Sequence, residues 1–255
     1  MRLDIALVQN GICATRSNAA RLIKEGRVRV DGITVTKCAF DYIEGHIEAS
    51  ADRFVSRAGE KLDAALEAFN IDVSGKSVLD VGASTGGFTD CLLGRGAKRV
   101  CAVDVGEGQL AQKLRGDARV LLMENTNARI LTPEMLPFAL DLAVMDVSFI
   151  SQELIYPALA RILPHGAALV TLVKPQFEVG RGNIGKNGIV RDVKASLDAA
   201  HRLEEAAARC GFKRLGFIGS PIKGSDGNTE YLAFYVREND DESISCDKQN
   251  EARRG

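Results

Sequence analysis

No run of apolar residues in this chain approaches the about 18 that a membrane-crossing helix needs, so no membrane span is expected. The opening MRLDIALVQNG breaks its short apolar stretch with an aspartate and a glutamine, and so does not read as a secretory h-region. Metal-ligand spacing is missing as well. The six cysteines, at 13, 38, 91, 101, 210 and 246, form no CxxC and no Cys/His pattern. Contexts such as DCLL and VCAV suit reduced thiols in a cytoplasmic protein, and no metal site is assigned. Net charge is nearly absent too. The 33 Lys and Arg against 34 Asp and Glu leave −1, which at first argues against a nucleic-acid partner.

What is present corrects that last impression. Residues 16–37 hold six Lys or Arg against two acids, whereas residues 238–255 hold six acids against three bases. A basic N-terminal module balanced by a polar acidic tail, read as disordered, differs from a neutral protein. The 255 residues, 45% hydrophobic and 26% charged, suit one ample α/β domain with a small appendage.

The appendage spans residues 1–48. RLDIALVQNG reads as a short helix stopped by Gly11, and SNAARLIKEG as a second one with Ser17 as N-cap and Gly26 as stop. VRVDGITV reads as a hairpin, because Asp31-Gly32 between alternating β-branched residues is a strong two-residue turn signal. The stretch from Arg2 to Gly32 resembles the S-four RNA-binding domain, through Arg2-Leu3-Asp4, Leu7, Arg16-Ser17, Ala20, Leu22-Ile23, Gly26, Val28, Val30 and Gly32. The family's usual Ser-Arg order is reversed here. The resemblance implies RNA contacts from Arg2, Arg16, Arg21, Lys24, Arg27 and Arg29.

Residues 49–54 read as a linker, and residues 55–237 as one domain. VSRAGEKLDAALEAFN spaces Val55, Leu62, Leu66 and Phe69 as an amphipathic helix. Strand patterns KSVLDVG, KRVCAVDVG, VLLMEN, LDLAVMDVSF, AALVTLVK, KRLGFIGS and EYLAFYV follow, with helical patterns GGFTDCLLGRG, SQELIYPALARIL and VKASLDAAHRLEEAAARCG between them. Such alternation predicts a Rossmann-like, doubly wound α/β sheet, whose ligands bind at the carboxyl ends of the strands.

The first strand runs into DVGASTGGFTD, where Gly82, Gly86 and Gly87 let the backbone turn tightly and approach a ligand. The pattern, with Asp80, Gly82, Ala83, Ser84, Gly86, Gly87 and Phe88, resembles motif I of S-adenosylmethionine-dependent methyltransferases. Asp80 is expected to meet the cofactor's ammonium. Asp104 follows Gly82 by 22 residues, where an acid meets ribose hydroxyls, and Asn125 or Asn127 is expected at the adenine edge.

Asp146 stands where the fourth strand emerges, Lys174 ends the fifth in LVKPQFE, Glu230 opens the last, and Lys61 sits in the helix before the sheet. A lysine at the end of a buried strand needs a partner or a task. SRAGEKL, the glycine turn, MDVSF, LVKPQFE and NTEYLAF occur in the order of the FtsJ-type ribose methyltransferases, whose Lys-Asp-Lys-Glu tetrad matches Lys61, Asp146, Lys174 and Glu230. With the N-terminal module and the segment GRGNIGKNGIVRD, the chain resembles the TlyA (hemolysin A) family. That resemblance implies S-adenosylmethionine as cofactor, with Asp146 also near it. It implies ribosomal RNA or ribosomal subunits as partner and cytidine 2′-O-methylation in 16S and/or 23S rRNA; the missing apolar spans lead to the expectation of no membrane partner, and a monomer is expected.

The residue types suit that chemistry. A ribose hydroxyl must lose its proton as it attacks a methyl group, and a lysine at its reference pKa of about 10.4 is a poor base. Partial burial and a second cation favour the neutral amine. Lys174 is the expected general base, Lys61 positions the ribose, and the acids hold both. DVSF lacks the Asn/Asp-Pro-Pro-aromatic loop of exocyclic-amine methylases, and no cysteine stands at the matching strand ends for ring-carbon chemistry. The rival readings are a non-catalytic ribosome assembly factor and a membrane-active hemolysin.

Overall fold

The computed structural model describes residues 1–13, 15–50, 52–185, 188–224 and 226–238. The acidic tail from residue 239 onward, with Cys246, therefore lies outside the described residues, as do Lys186 and Asn187 of GRGNIGKNGIVRD. Two compact units are present, Met1–Asp52 and a second beginning at Arg53.

In the first unit, helices α1 (Leu3–Gln9) and α2 (Arg16–Lys24) precede strands β1 (Val28–Val30), β2 (Ile33–Thr34) and β3 (Ile47–Ala49). The strands form an antiparallel sheet in the order β2-β1-β3. Asp31 and Gly32 take φ of +49° and +79° between β1 and β2, the both-positive pair of a tight hairpin turn. Leu3, Leu7, Leu22, Ile23 and Val28 are fully or almost fully buried against one another. The cap of α2 is Thr15, whose hydroxyl accepts from the Asn18 N–H at 3.2 Å, and not Ser17. Thr15 alone has the extended backbone that lets a side chain turn back onto the first turn. β3 pairs Ala49 with Val28, so the first residue of the stretch read as linker is still in the sheet.

The second unit opens with α3 (Ala58–Ala68) and continues through β4 (Ser77–Val81), α4 (Gly87–Gly94), β5 (Arg99–Val103), α5 (Gln112–Arg115) and β6 (Val120–Met123). Then come β7 (Leu142–Met145), α6 (Tyr156–Ile162), β8 (Ala168–Val173), α7 (Val193–Arg209), β9 (Phe212–Gly219) and β10 (Tyr231–Arg237). The seven strands order as β6-β5-β4-β7-β8-β10-β9, all parallel except β10, which runs antiparallel to β8 and β9. Side chains alternate between two cores. Leu62, Leu66, Phe88 and Leu92 of α3 and α4 cover one face with Val78 and Val144, and Tyr156, Leu159 and Leu203 of α6 and α7 cover the other with Leu79 and Val81. Among the described residues, no helix is long and apolar enough to cross a membrane.

Candidate active site

The parallel strands all end at one edge, and the predicted site residues collect there. Asp146 directly follows β7, its N–H donating to Val81 O at 2.9 Å. Lys174 directly follows β8, and Pro175 then opens a single 3-10 turn, so the ladder stops at the lysine. The antiparallel register Tyr231↔Val173 continues by one step to bring Glu230 beside Lys174. α3 supplies Lys61 from above the same face.

The four form two ion pairs. Lys61 Nζ donates to Glu230 Oε2 at 2.5 Å, with both side chains less than a tenth exposed. Gly224 packs against the other Glu230 oxygen, where a Cβ would come within 2.5 Å. Lys174 Nζ lies 2.6 Å from Asp146 Oδ1 and donates a hydrogen bond to Ser148 Oγ at 2.9 Å. This second pair is slightly more open, its side chains 13% and 15% exposed.

Two cavities flank the second pair. The larger, about 330 Å³, has apolar walls from Val81, Val103, Val147 and Ile155, with Asp104, Gln109 and Asn127 among its polar groups. The smaller, about 140 Å³, is bounded by Ser56, Ala83, Thr85, Gly87, Phe88 and Lys174. Gly82, Ser84, Asp146 and Ser148 line both and form the seam between them.

The glycine turn is shaped for close approach. Gly82 has φ +83°, and a Cβ there would run into the Asp146 carbonyl; one at Gly87 would run into Ser56 Oγ. Gly86, at φ +94°, is the α4 cap and packs against Leu114, lining neither cavity. Asp104 accepts the Ser84 N–H at 2.8 Å on one oxygen and the Gly106 N–H at 2.7 Å on the other. Each oxygen keeps a lone pair for a ligand hydroxyl.

Besides Gly86, two expected cofactor contacts, Asp80 and Asn125, lie outside both cavities. Asp80 is wholly buried and lines neither cavity. With a strand period of two it shares the face of Val78, under α4, where Thr89 Oγ1 donates to its Oδ2 at 2.6 Å. Burial pushes its carboxyl up to about 7, against the pull of the Thr89 hydrogen bond, with the nearby charges of Asp146 and Asp104 adding to the rise. Asn125 is a turn residue at φ +52°, and Asn127 is the one on the larger cavity.

The geometry sits in a chain whose relatives are clear. Residues 54–237 match the model of the FtsJ-like methyltransferases, and residues 1–41 that of the S4 domain. The 16S/23S rRNA (cytidine-2'-O)-methyltransferase TlyA of Mycobacterium tuberculosis is 44% identical over 96% of this chain and 92% of its own. The chain belongs to the TlyA family of FtsJ-like methyltransferases. A solved Streptococcus thermophilus structure, provisionally designated a hemolysin, superposes with TM-score 0.74 at 40% identity, over 99% of this chain and 98% of that one. A Listeria monocytogenes structure, provisionally assigned as an S-adenosylmethionine-dependent methyltransferase, shares the fold alone, at 17% identity and TM-score 0.53 over 72% of this chain and all of that one.

In this TlyA-family chain the six basic residues expected to meet RNA divide into three pairs. Arg2 and Arg16 both hold Asp4, and their hydrogen bonds, Arg2's foremost, bring its carboxyl down to about 2. Arg21 and Arg27 both grip Asp52 and are only about a quarter exposed. Lys24 and Arg29 are exposed and have no charged partner among the described residues. Phe149, beside Ser148, carries no signal in the sequence. Its ring is 91% exposed, its φ is +64°, and it leans on Phe177 with centroids 4.9 Å apart. A bulky residue at positive φ is disfavoured, and only an alignment could have marked this position beforehand.

Proposed function

We propose that this protein is an S-adenosylmethionine-dependent ribose 2′-O-methyltransferase that acts in the cytoplasm on cytidine in 16S and/or 23S ribosomal RNA. The observation that carries the reading is the pair of ion pairs, Lys61–Glu230 and Lys174–Asp146, at the edge of the sheet beside the two joined cavities. The family relationship supports it, and the relative from Mycobacterium tuberculosis carries that activity in its name.

The chain's residues fit the cofactor. The apolar walls of the larger cavity suit an adenine ring, Asp104 has lone pairs for ribose hydroxyls, Asn127 offers an amide, and the bare backbone at Gly82 and Gly87 leaves room for the amino-acid end. When bound, S-adenosylmethionine supplies an electrophilic methyl group. The protein does the rest. Lys174 Nζ takes the proton of the ribose 2′-hydroxyl, and Asp146 stabilises the ammonium that results. Lys61, held rigidly by Glu230, fixes the ribose and keeps its oxygen in line for displacement. The exposed Phe149 ring beside this centre offers a stacking surface for an unstacked base. Lys24 and Arg29 are the S4 residues best placed for phosphates, and Arg2 and Arg16 add to them at half exposure. All four tetrad residues come from one chain, so a monomer suffices.

The test is methyl transfer to ribosomal subunits from a strain lacking this protein, with the modified riboses mapped. The expected result is cytidine 2′-O-methylation that Lys174→Ala abolishes while calorimetric S-adenosylmethionine binding persists. Cofactor binding with no methyl transfer by the parent protein would favour an assembly factor, and full activity of Lys174→Ala would refute the base assignment.

A further inference from the structure

The tetrad leaves one requirement unmet. A neutral lysine amine has two N–H bonds and one lone pair, and it rotates freely about its last carbon bond. A single carboxylate at its side does not decide whether the lone pair or an N–H faces the substrate. A second fixed acceptor does decide it.

Ser148 stands in that position. Its Oγ accepts from Lys174 Nζ at 2.9 Å, while Asp146 attracts the nitrogen from 2.6 Å. It lines both cavities at their seam, where the cofactor's reacting end and the substrate oxygen would have to meet on the reading above. The turn that presents it is held in a disfavoured conformation, since the next residue, Phe149, has φ +64°. Such backbone persists where surrounding structure over-determines it, and it concentrates at working sites. A chance contact between a surface serine and a lysine would need neither the seam nor the strained turn.

We propose that Ser148 is a positioning residue for the transfer: its Oγ holds one N–H of the Lys174 amine, the only hydrogen bond of that amine among the described residues, while the Asp146 carboxylate draws the nitrogen by charge alone, so that the lone pair points into the cavity. The substrate proton then arrives at the one open side of Nζ, the amine becomes an ammonium with its third N–H there, and the oxygen keeps the electron pair with which it attacks. The inference rests on Lys174 acting as the base.

The test compares Ser148→Ala, Ser148→Thr and Lys174→Ala in the full chain, using unmethylated ribosomal subunits and S-adenosylmethionine. Losing a hydrogen bond to a charged or titrating group corresponds to a rate loss of roughly tenfold or more. Ser148→Ala is expected to lower kcat by about that factor while the KM for subunits and the affinity for S-adenosylmethionine change less than about twofold. Ser148→Thr, which keeps the hydroxyl, is expected to recover most of the rate. Ser148 is exposed, so neither variant should alter thermal unfolding. A parent-like kcat for Ser148→Ala, or a loss confined to KM, or a Thr variant as slow as the Ala variant, overturns the inference while an inactive Lys174→Ala leaves the tetrad reading standing. Full activity of Lys174→Ala overturns both.

Discussion

Replacing Asp80 by Asn should make the protein more stable, and increasingly so as pH rises. Asp80 is fully buried, and burial lifts its carboxyl from an ordinary 3.8 to about 7. Below pH 3.8 both folded and unfolded chains hold the proton, and the group costs nothing. Between about pH 4 and 7 the unfolded chain releases its proton while the folded one keeps it, so stability falls as pH rises and levels off above the folded value. About three pKa units at about 1.36 kcal/mol each give roughly 4 kcal/mol as the full penalty. Asn carries no such titration, and its amide oxygen can still accept from Thr89. The difference in stability between Asp80→Asn and the parent should therefore grow by about 2–3 kcal/mol between pH 5 and pH 8. For a unit of this size that corresponds to roughly 5–10 °C in Tm. Thermal and urea unfolding at the two pH values measure it, and taking the difference between variant and parent cancels the other titrating groups. S-adenosylmethionine affinity should change only a few-fold, because Asp80 does not line the cavity. A gap that stays constant or shrinks with pH refutes the burial argument, and a hundredfold loss of cofactor affinity in a folded variant refutes the placement.

Other substitutions probe other parts of the molecule. Lys61→Met strands the buried Glu230 carboxylate and should cost about 3–5 kcal/mol in chemical denaturation. The double variant Lys61→Met/Glu230→Leu should regain much of that stability and still lack methylation. Gly82→Ala should abolish calorimetric cofactor binding, because the new Cβ meets the Asp146 carbonyl at φ +83°. Gly94→Ala, at the end of α4 with open space around it, should bind normally and gain about 0.5–1 kcal/mol. Arg29→Ala should weaken RNA binding and flatten its salt dependence by about one unit of slope, with unfolding unchanged. Arg21→Ala should instead lower the stability of the first unit, since Asp52 loses one of its two arginine partners.

Periodicity and strand-end logic made most of the architecture legible. The seven expected strands of the second unit are the seven of its sheet, and the central parallel ones are near-continuous buried apolar runs. β3 and α5, three and four residues long, escaped because nothing that short carries a period. The rule that ligands sit at strand ends pointed to Asp104, Asp146 and Lys174, and the tetrad resemblance to Glu230; the structure places all four at one edge of the sheet. Asp80 lies one position before the strand's end, and alternation turns its side chain under α4, outside both cavities. Among the basic residues of the first unit, sequence showed charge but not commitment. Arg21 and Arg27 are taken by Asp52, far along the chain, and no local pattern announces a partner at that distance.

The Lys61–Glu230 pair joins residues 169 positions apart. It links the first helix of the second unit to its last strand, and that last strand is an inner one, lying between β8 and β9. During synthesis, every strand that shapes the cofactor cavity leaves the ribosome before β10 does. A nascent chain could thus build its nucleotide cleft early and remain unable to react until the final strand slides into the middle of the sheet. The active centre works as the clasp of the domain, and catalytic competence reports that the whole sheet has closed.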